Sequence, residues 1–239
     1  MKKYKKEYDY SYTSGIFPSM ELIHKKPNLV FKIVISSKLE NEDIKKELIE
    51  FSKQRNIELE TNDNTINKLS EKENCYLIVF FKKESIELDK NNSHIVLVNP
   101  SNIGNIGNII RTSLGFNFNN IAIITPSVDV MDPKSIRASM GAIFSTNVEH
   151  FATFEDYERK YKSHVVYPFV LKGKSSLQDL NKRAELCSLV FGNESSGLPD
   201  EFLKYENTVL IKHTNNIDSL NLTIAIGIAL YEFTKDDFS

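Results

Sequence analysis

Arginine is scarce in this chain of 239 residues: Arg55, Arg111, Arg137, Arg159 and Arg183 are the whole set. An arginine inside a motif is therefore informative. Net charge is also small, at -2. That argues against indiscriminate polyanion binding, which needs clustered Lys and Arg, but leaves room for a local basic patch. Cysteine is rarer still. Cys75 and Cys187 each open an apolar run, "CYLIVFF" and "CSLVFG", and read as buried, reduced thiols. Neither a disulfide framework nor a CxxC metal site can be built from them, and no metal is expected. No apolar run approaches the ~20 residues needed to span a bilayer. The opening "MKKYKKEYDY" lacks the apolar stretch of a secretory leader, so a cytoplasmic protein is expected. Internal repeats and low-complexity tracts are missing as well.

What is present is an ordinary globular balance of 41% apolar and 26% charged residues, enough for one large domain or two small ones. Strand-like and helix-like stretches alternate, which predicts an α/β fold with a largely parallel sheet. Residues 1–85 read as a small α/β domain. It has a helix in "GIFPSMELIHKK" with Pro18 near its start, a strand "NLVFKIVISS", and a helix carrying Ile44, Leu48 and Phe51 on one face. "IELE", "NTINKLS" and "CYLIVFF" add a short strand, a short helix and a central strand. Residues 86–93, polar and turn-rich, read as a linker. From 94 to 239 comes the second domain: strands "HIVLV" and "IAIIT", a turn "MDPKSIRASMGAIF", a helix "FEDYERKYK" and a strand "VVYPFVL". After "CSLVF" come a loop "GNESSGLP", a helix "DEFLKYE", a strand "NTVLIKH" and a last helix from Ser219. In that helix Leu220, Leu222, Ile224, Ile226, Ile228 and Leu230 are not confined to one stripe. Such a helix lies in a domain centre or is shared with a second subunit.

Three stretches carry candidate chemistry. "NIGNIGNIIR", residues 102–111, follows a strand and suggests a nucleotide loop. Its glycines at 104 and 107 are three apart, so the dinucleotide fingerprint fails. "GKS" at 173–175 fails as a phosphate loop too, because Pro168 stands where its first glycine would be; Ser176 with Asp179 reads as a capping box. "FGNESSGLP" places Glu194 between Gly192, which leaves a strand, and Gly197, which permits a positive φ. Alone it is a strand-to-helix turn with an exposed acid. "DSLNLTIAIG" offers Asp218 or Ser219 as a helix cap with Asn221 in the first turn, and alone it is a solvated helix start. Each motif follows an apolar strand, so a parallel sheet gathers all three at its carboxyl edge, where ligands bind.

In order and spacing the three resemble the SpoU (TrmH-like) family of SPOUT-superfamily RNA 2′-O-ribose methyltransferases. The first motif is Asn105, Gly107, Ile109, Arg111 and Thr112. The second is Phe191 to Leu198, and the third Ile211 with Ser219, Leu220 and Asn221. "PKSIRASMGAIF" looks like the family's segment between motifs one and two. "SYTSGIFPSMELIHKKP" resembles the opening of the amino-terminal RNA-binding module that many such enzymes carry.

The resemblance implies a parallel-sheet SPOUT domain with a carboxyl-terminal deep trefoil knot, preceded by a small RNA-binding domain. It implies transfer of a methyl group from S-adenosylmethionine to a ribose 2′-hydroxyl in structured RNA, ribosomal more than transfer RNA. It implies a homodimer packed through the motif-one and final helices. Gly192, Ile211 and Leu220 would hold the cofactor, largely through backbone groups. Arg111, Asn105, Glu194, Ser219 and Asn221 would form the catalytic set. Arg111 would grip a phosphate and polarise the hydroxyl, because a guanidinium is not deprotonated near neutral pH. Glu194 would hold Arg111 or the ribose. Lys212 and Asn215 stand where the family has proline and glycine, a departure that touches the cofactor loop. The alternative is an RNA-binding or assembly protein that keeps the fold without the reaction.

Overall fold

The computed structural model describes residues 2–70, 74–180 and 183–237. Along the chain run β1 (Tyr10–Tyr12), α1 (Ile16–Lys25), β2 (Val30–Ile35), α2 (Glu42–Arg55), β3 (Glu58–Thr61), α3 (Asp63–Leu69) and β4 (Leu77–Lys82). Then follow β5 (His94–Val98), α4 (Ile103–Gly115), β6 (Asn120–Ile124), α5 (Pro133–Ala138), β7 (Asn147–Phe151) and α6 (Phe154–Lys160). The last are β8 (Val165–Pro168), β9 (Ser175–Ser176), β10 (Cys187–Phe191), β11 (Val209–Leu210) and α7 (Leu222–Thr234).

These elements form two compact units whose division differs from the expected split. One unit ends at Glu84 but takes back Asp129–Ser145; the other begins at Ser85 and resumes at Thr146. The returning segment is held by specific contacts. Ser11 Oγ donates to the Met131 carbonyl at 2.6 Å. Phe144 meets Phe81 edge-on at 5.2 Å. Gly141 has φ +82°, and a Cβ there would lie 2.7 Å from Glu21 Cβ, so the close approach requires glycine. The stretch expected as a turn of the second domain thus carries α5 and belongs to the first unit. Residues 86–93 are not a free linker either. Leu88 is buried, its N–H donates to Glu149 Oε2 at 3.1 Å, and the Asp89 N–H donates to Asn120 Oδ1 at 2.9 Å. A polar composition concealed one anchoring leucine.

The first unit has a mixed sheet in the order β1-β4-β2-β3, with β2 and β3 parallel and the other pairs antiparallel. Val34, Ile66, Leu69, Ile78 and Phe80 make its core. The second unit is a parallel sheet in the order β7-β6-β5-β10-β8. β5, β6 and β10 are buried at every position, as expected for strands covered on both faces. The edge strand β7 escaped the sequence reading because its residues, "NVEHF", neither alternate cleanly nor run apolar. "DEFLKYE" and "NTVLIKH" are shorter than expected: a 3-10 turn over Asp200–Lys204 and the two-residue β11. Ser176 and Asp179 form no capping box; the Ser176 hydroxyl donates to Gln178 Oε1 at 2.6 Å instead.

Asparagine starts four of the helices. Asn41, Asn62, Asn102 and Asn221 each accept a backbone N–H two or three residues on, satisfying a donor that the helix leaves open. The last of these corrects the expected cap: Asn221, not Asp218 or Ser219, begins α7. That helix also has two faces. Ile226, Ala229, Leu230 and Thr234 are buried, while Ile224, Ile228 and Tyr231 are 56%, 39% and 63% exposed at helical spacing.

At the amino end of the parallel sheet lies a buried polar layer. His94, the first residue of β5, is 0% exposed; its Nδ1 bonds the Tyr157 hydroxyl at 2.9 Å and its Nε2 the Asp89 carbonyl at 2.9 Å. Tyr157 bonds Ser188 Oγ at 2.5 Å, and Ser188 bonds His164 Nδ1 at 3.0 Å. Burial pushes the His94 imidazole down to about 4, against the opposing pull of the Asp89 carbonyl. Burial lowers His164 as well. Both rings are therefore neutral in the folded protein at neutral pH. A histidine depressed on folding contributes stability that is complete above the unfolded value and is lost as pH falls toward the folded one. For His94 that window runs from about 6.5 to about 4. Chemical-denaturation midpoints should fall across this window, by up to roughly 3 kcal/mol from His94. His94→Gln should make that fall shallower; an unchanged pH profile would remove His94 as its cause.

Candidate active site

In the parallel sheet, β5 lies between β6 and β10, so the strand order reverses between β5 and β10. Ligands of α/β sheets bind in the crevice at such a point. The register pairs Phe191 with Leu97, which carries both strands out at the same level. The segment after β5, residues 99–102, thus runs beside the loop after β10, residues 192–198.

Two ties join them. Asn99 takes φ 53°, a left-handed conformation that asparagine tolerates, and its carbonyl accepts the Asn193 side-chain amide at 2.8 Å. Asn193 Oδ1 in turn accepts the Ser195 N–H at 2.9 Å and the Ser195 hydroxyl at 2.8 Å, which shapes the loop. The second tie is Glu194. Its Oε2 accepts the Ser101 N–H at 3.1 Å and the Ser101 hydroxyl at 2.8 Å. Its Oε1 accepts the Asn102 N–H at 3.1 Å and Asn105 Nδ2 at 3.2 Å. Partial burial pushes this carboxyl up, but its own backbone N–H and the donors of Ser101 and Asn105 outweigh that and hold it below the usual range. The anion also sits at the positive end of α4.

The glycines of "NIGNIGNIIR" do not form a loop. Asn102 caps α4 by accepting the Asn105 N–H at 3.0 Å, and Gly104 and Gly107 lie inside the helix. The first asparagine therefore holds the helix end, and the second reaches Glu194. Arg111 is exposed two turns further on and has no ion-pair or hydrogen-bond partner among the described residues. Glu194 does not hold it, because all of the carboxylate's contacts reach the start of α4. Thr112, beside Arg111, turns toward α7: its Cγ2 is 3.9 Å from where a Gly227 Cβ would be.

Next to these ties opens a cleft of about 330 Å³, lined by Gly192, Glu194, Ile211, Ser219 and Leu220 among others. Gly192 has no room for a side chain: a Cβ would come within 2.1 Å of the Gly197 carbonyl carbon. Gly197 itself takes φ +68°, as expected. The fold therefore brings together Gly192, Glu194, Ile211, Ser219 and Leu220. Asn105 joins them through Glu194. Asn221 stands between two lining residues, its Oδ1 occupied by the Thr223 N–H at 2.9 Å and the Thr223 hydroxyl at 2.6 Å. Arg111 does not line the cleft. Lys212 and Asn215 do not line it either; Lys212 pairs outward with Asp179 at 2.9 Å.

Sequence reasoning missed several participants. Phe169 and Phe191 stack at 4.4 Å with planes 15° apart and form an apolar wall. Leu171, Lys172 and His213 also line the cleft. Phe191 opens the second motif, but Phe169, Leu171, Lys172 and His213 come from strand ends and loops without a motif, and no local pattern marks them. Asn99 and Asn102 were more accessible, since each precedes a structural break that asparagine favours.

The SpoU rRNA Methylase family model matches residues 92–231. A 23S rRNA (adenosine(1067)-2′-O)-methyltransferase of Streptomyces azureus is 30% identical over 142 residues, covering 58% of this chain and 52% of that protein. A putative tRNA (cytidine(34)-2′-O)-methyltransferase of Listeria innocua is 30% identical over 145 residues, covering 59% of this chain and 85% of that protein. The chain thus spans about half the length of the ribosomal-RNA relatives it matches. An AdoMet-bound rRNA methyltransferase from Sinorhizobium meliloti shares the fold, with a TM-score of 0.82 over 97% of this chain and 89% of that one at 22% identity. The family match takes in more than half of the chain and all three motifs, and the protein belongs to the SpoU rRNA Methylase family.

Proposed function

We propose that the protein transfers a methyl group from S-adenosylmethionine to a ribose 2′-hydroxyl in structured RNA, ribosomal RNA in preference to transfer RNA. The observation that carries this is the cleft at the β5/β10 switch point, walled by apolar side chains and bordered by the Glu194-tethered start of α4. Relatives named for both RNA classes support an RNA substrate. The small first unit would bind that RNA. The insertion of β10 between β5 and β8 is consistent with the deep trefoil knot that we assign to the carboxyl-terminal part.

The residues fit the cofactor. An adenine ring needs flat apolar walls and backbone hydrogen-bonding groups, and Phe169, Phe191, Ile211, Leu220 and the crowded Gly192 turn offer both. When bound, the cofactor supplies an electrophilic methyl group on a sulfonium sulfur. Everything else falls to the protein. Arg111, exposed and without a partner among the described residues, would grip the neighbouring phosphate with its planar fork and polarise the 2′-hydroxyl. A phosphate oxygen or water would take the proton. Ser219 and Asn221 would offer neutral hydrogen bonds to the sugar, Asn221 through the amide that its capping role leaves free. Glu194 would act by positioning: it sets the start of α4, and the rigid helix carries that setting to Asn105 and Arg111.

We also propose a homodimer through α4 and α7. The exposed stripe of Ile224, Ile228 and Tyr231 supports it, as such apolar patches mark interaction surfaces.

Three outcomes are expected. Arg111→Ala should abolish methyl transfer to total RNA while leaving thermal stability and calorimetric adenosylmethionine binding nearly intact; near-normal activity would contradict the mechanism. Glu194→Ala should lower kcat at least ~10-fold, a loss of about 1.4 kcal/mol. It should also speed hydrogen exchange at the Ser101 and Asn102 amides, and unchanged protection there would sink the positioning role. Light scattering at micromolar concentration should give twice the chain mass for the wild type and a shift toward monomer for Ile228→Asp. A wild-type monomer would rule out the dimer.

A further inference from the structure

Lys2, Lys3, Lys5 and Lys6 put four lysines into five residues of a chain whose net charge is -2. The proposed reaction uses none of them. This arm is not a loose tail. The Tyr4 hydroxyl donates to the Asp129 carboxylate. Lys83 Nζ donates to the Tyr4 hydroxyl at 3.0 Å and to the Lys6 carbonyl at 2.9 Å, and lies 5.0 Å from the centre of the Tyr4 ring. The Tyr8 N–H closes a turn on the Lys5 carbonyl at 3.0 Å.

With the backbone held at Tyr4, the four lysines are displayed to solvent. Lys5 pairs with Glu7 at 3.5 Å, and Tyr4 engages Asp129. Lys2, Lys3 and Lys6 have no ion-pair partner among the described residues. Beside them runs a ladder of rings. Tyr8 stacks on Tyr10 at 5.2 Å with planes 13° apart, and Tyr10 meets Phe31 edge-on at 6.0 Å. Tyr8 is the outermost ring and only half-buried.

Exposed ammonium groups within a few residues of a partly exposed, stacked ring match the two halves of a nucleotide, phosphate and base. An anionic bilayer would use the same charges, but the parallel stacking of Tyr8 on Tyr10, which a base would extend, favours a nucleotide. We propose that this arm is a contact surface for single-stranded RNA, with Lys2, Lys3 and Lys6 on phosphates and a base extending the stack on Tyr8. It rests on the reading that the substrate is RNA. Lysine contacts of this kind carry no sequence code, so the arm adds affinity and orientation rather than selectivity.

The test is fluorescence anisotropy of the full-length protein with a labelled short oligouridine, from about 50 to 200 mM KCl. Each single-strand phosphate contact contributes roughly 0.7 to the slope of log K against log salt, so the triple variant Lys2→Ala, Lys3→Ala, Lys6→Ala should be shallower by about 2. Tyr8→Ala should weaken binding roughly tenfold at an unchanged slope, while Tyr8→Phe keeps wild-type affinity. A triple variant with the wild-type slope would overturn the proposal. So would wild-type protein that binds phosphatidylserine vesicles but not oligouridine. Adenosylmethionine calorimetry and methyl transfer on the wild type separate the two levels. Normal transfer with an unaltered slope in the triple variant removes only the arm; absent cofactor binding and transfer remove the proposed function itself.

Discussion

The Glu194 carboxylate accepts hydrogens from the Ser101 and Asn102 backbone, the Ser101 hydroxyl and the Asn105 amide, and so ties the loop after β10 to the start of α4. That tie fixes how the two loops meet at the candidate site. It fills donors that a helix start leaves open, and it places a negative charge where the helix dipole favours one. It also sets where α4 begins, and therefore where each later side chain of α4 points. A hydrogen-bonded anion suits this task because its geometry is fixed by four donors at once, whereas apolar packing alone would let the helix slide.

The parallel sheet separates two kinds of polar chemistry. At its amino end, His94, Tyr157, Ser188 and His164 form a closed, buried network with neutral rings. At its carboxyl end, the loops after β5 and β10 keep their polar groups at the rim of a cleft. The first arrangement locks β5, β10, α6 and the residue before β8 together. The second leaves Arg111 exposed and without an ion-pair or hydrogen-bond partner among the described residues, as the proposed phosphate grip requires.

α7 shows how one apolar helix serves two surfaces. Its buried face packs on α4, and its other face carries Ile224, Ile228 and Tyr231 outward. The even distribution of apolar residues around it, visible in the sequence, is what the proposed dimer needs of a helix with one face on α4 and one face outward. Which residues face which side depends on its phase, and that is set by the cap. The cap is Asn221 rather than Asp218 or Ser219, so the helix begins at Leu222.

The alternating apolar runs by themselves determined the α/β class, the parallel second sheet and the strands β2, β4, β5, β6 and β10, because fully buried strands need continuous Val, Ile, Leu and Phe. The family resemblance likewise pointed to Asn105 rather than Asn102, and to Glu194, Ser219 and the residues around them. Composition misled where a single contact outweighs the average: Leu88 anchors a polar stretch, and Gly141 and Phe144 draw Asp129–Ser145 into the first unit. Only the tertiary structure decided that Glu194 braces α4 rather than Arg111, and that Phe169 stacks on Phe191 in one wall of the cleft. Those facts depend on β10 lying beside β5 in register, a pairing between residues nearly a hundred positions apart that no local pattern encodes.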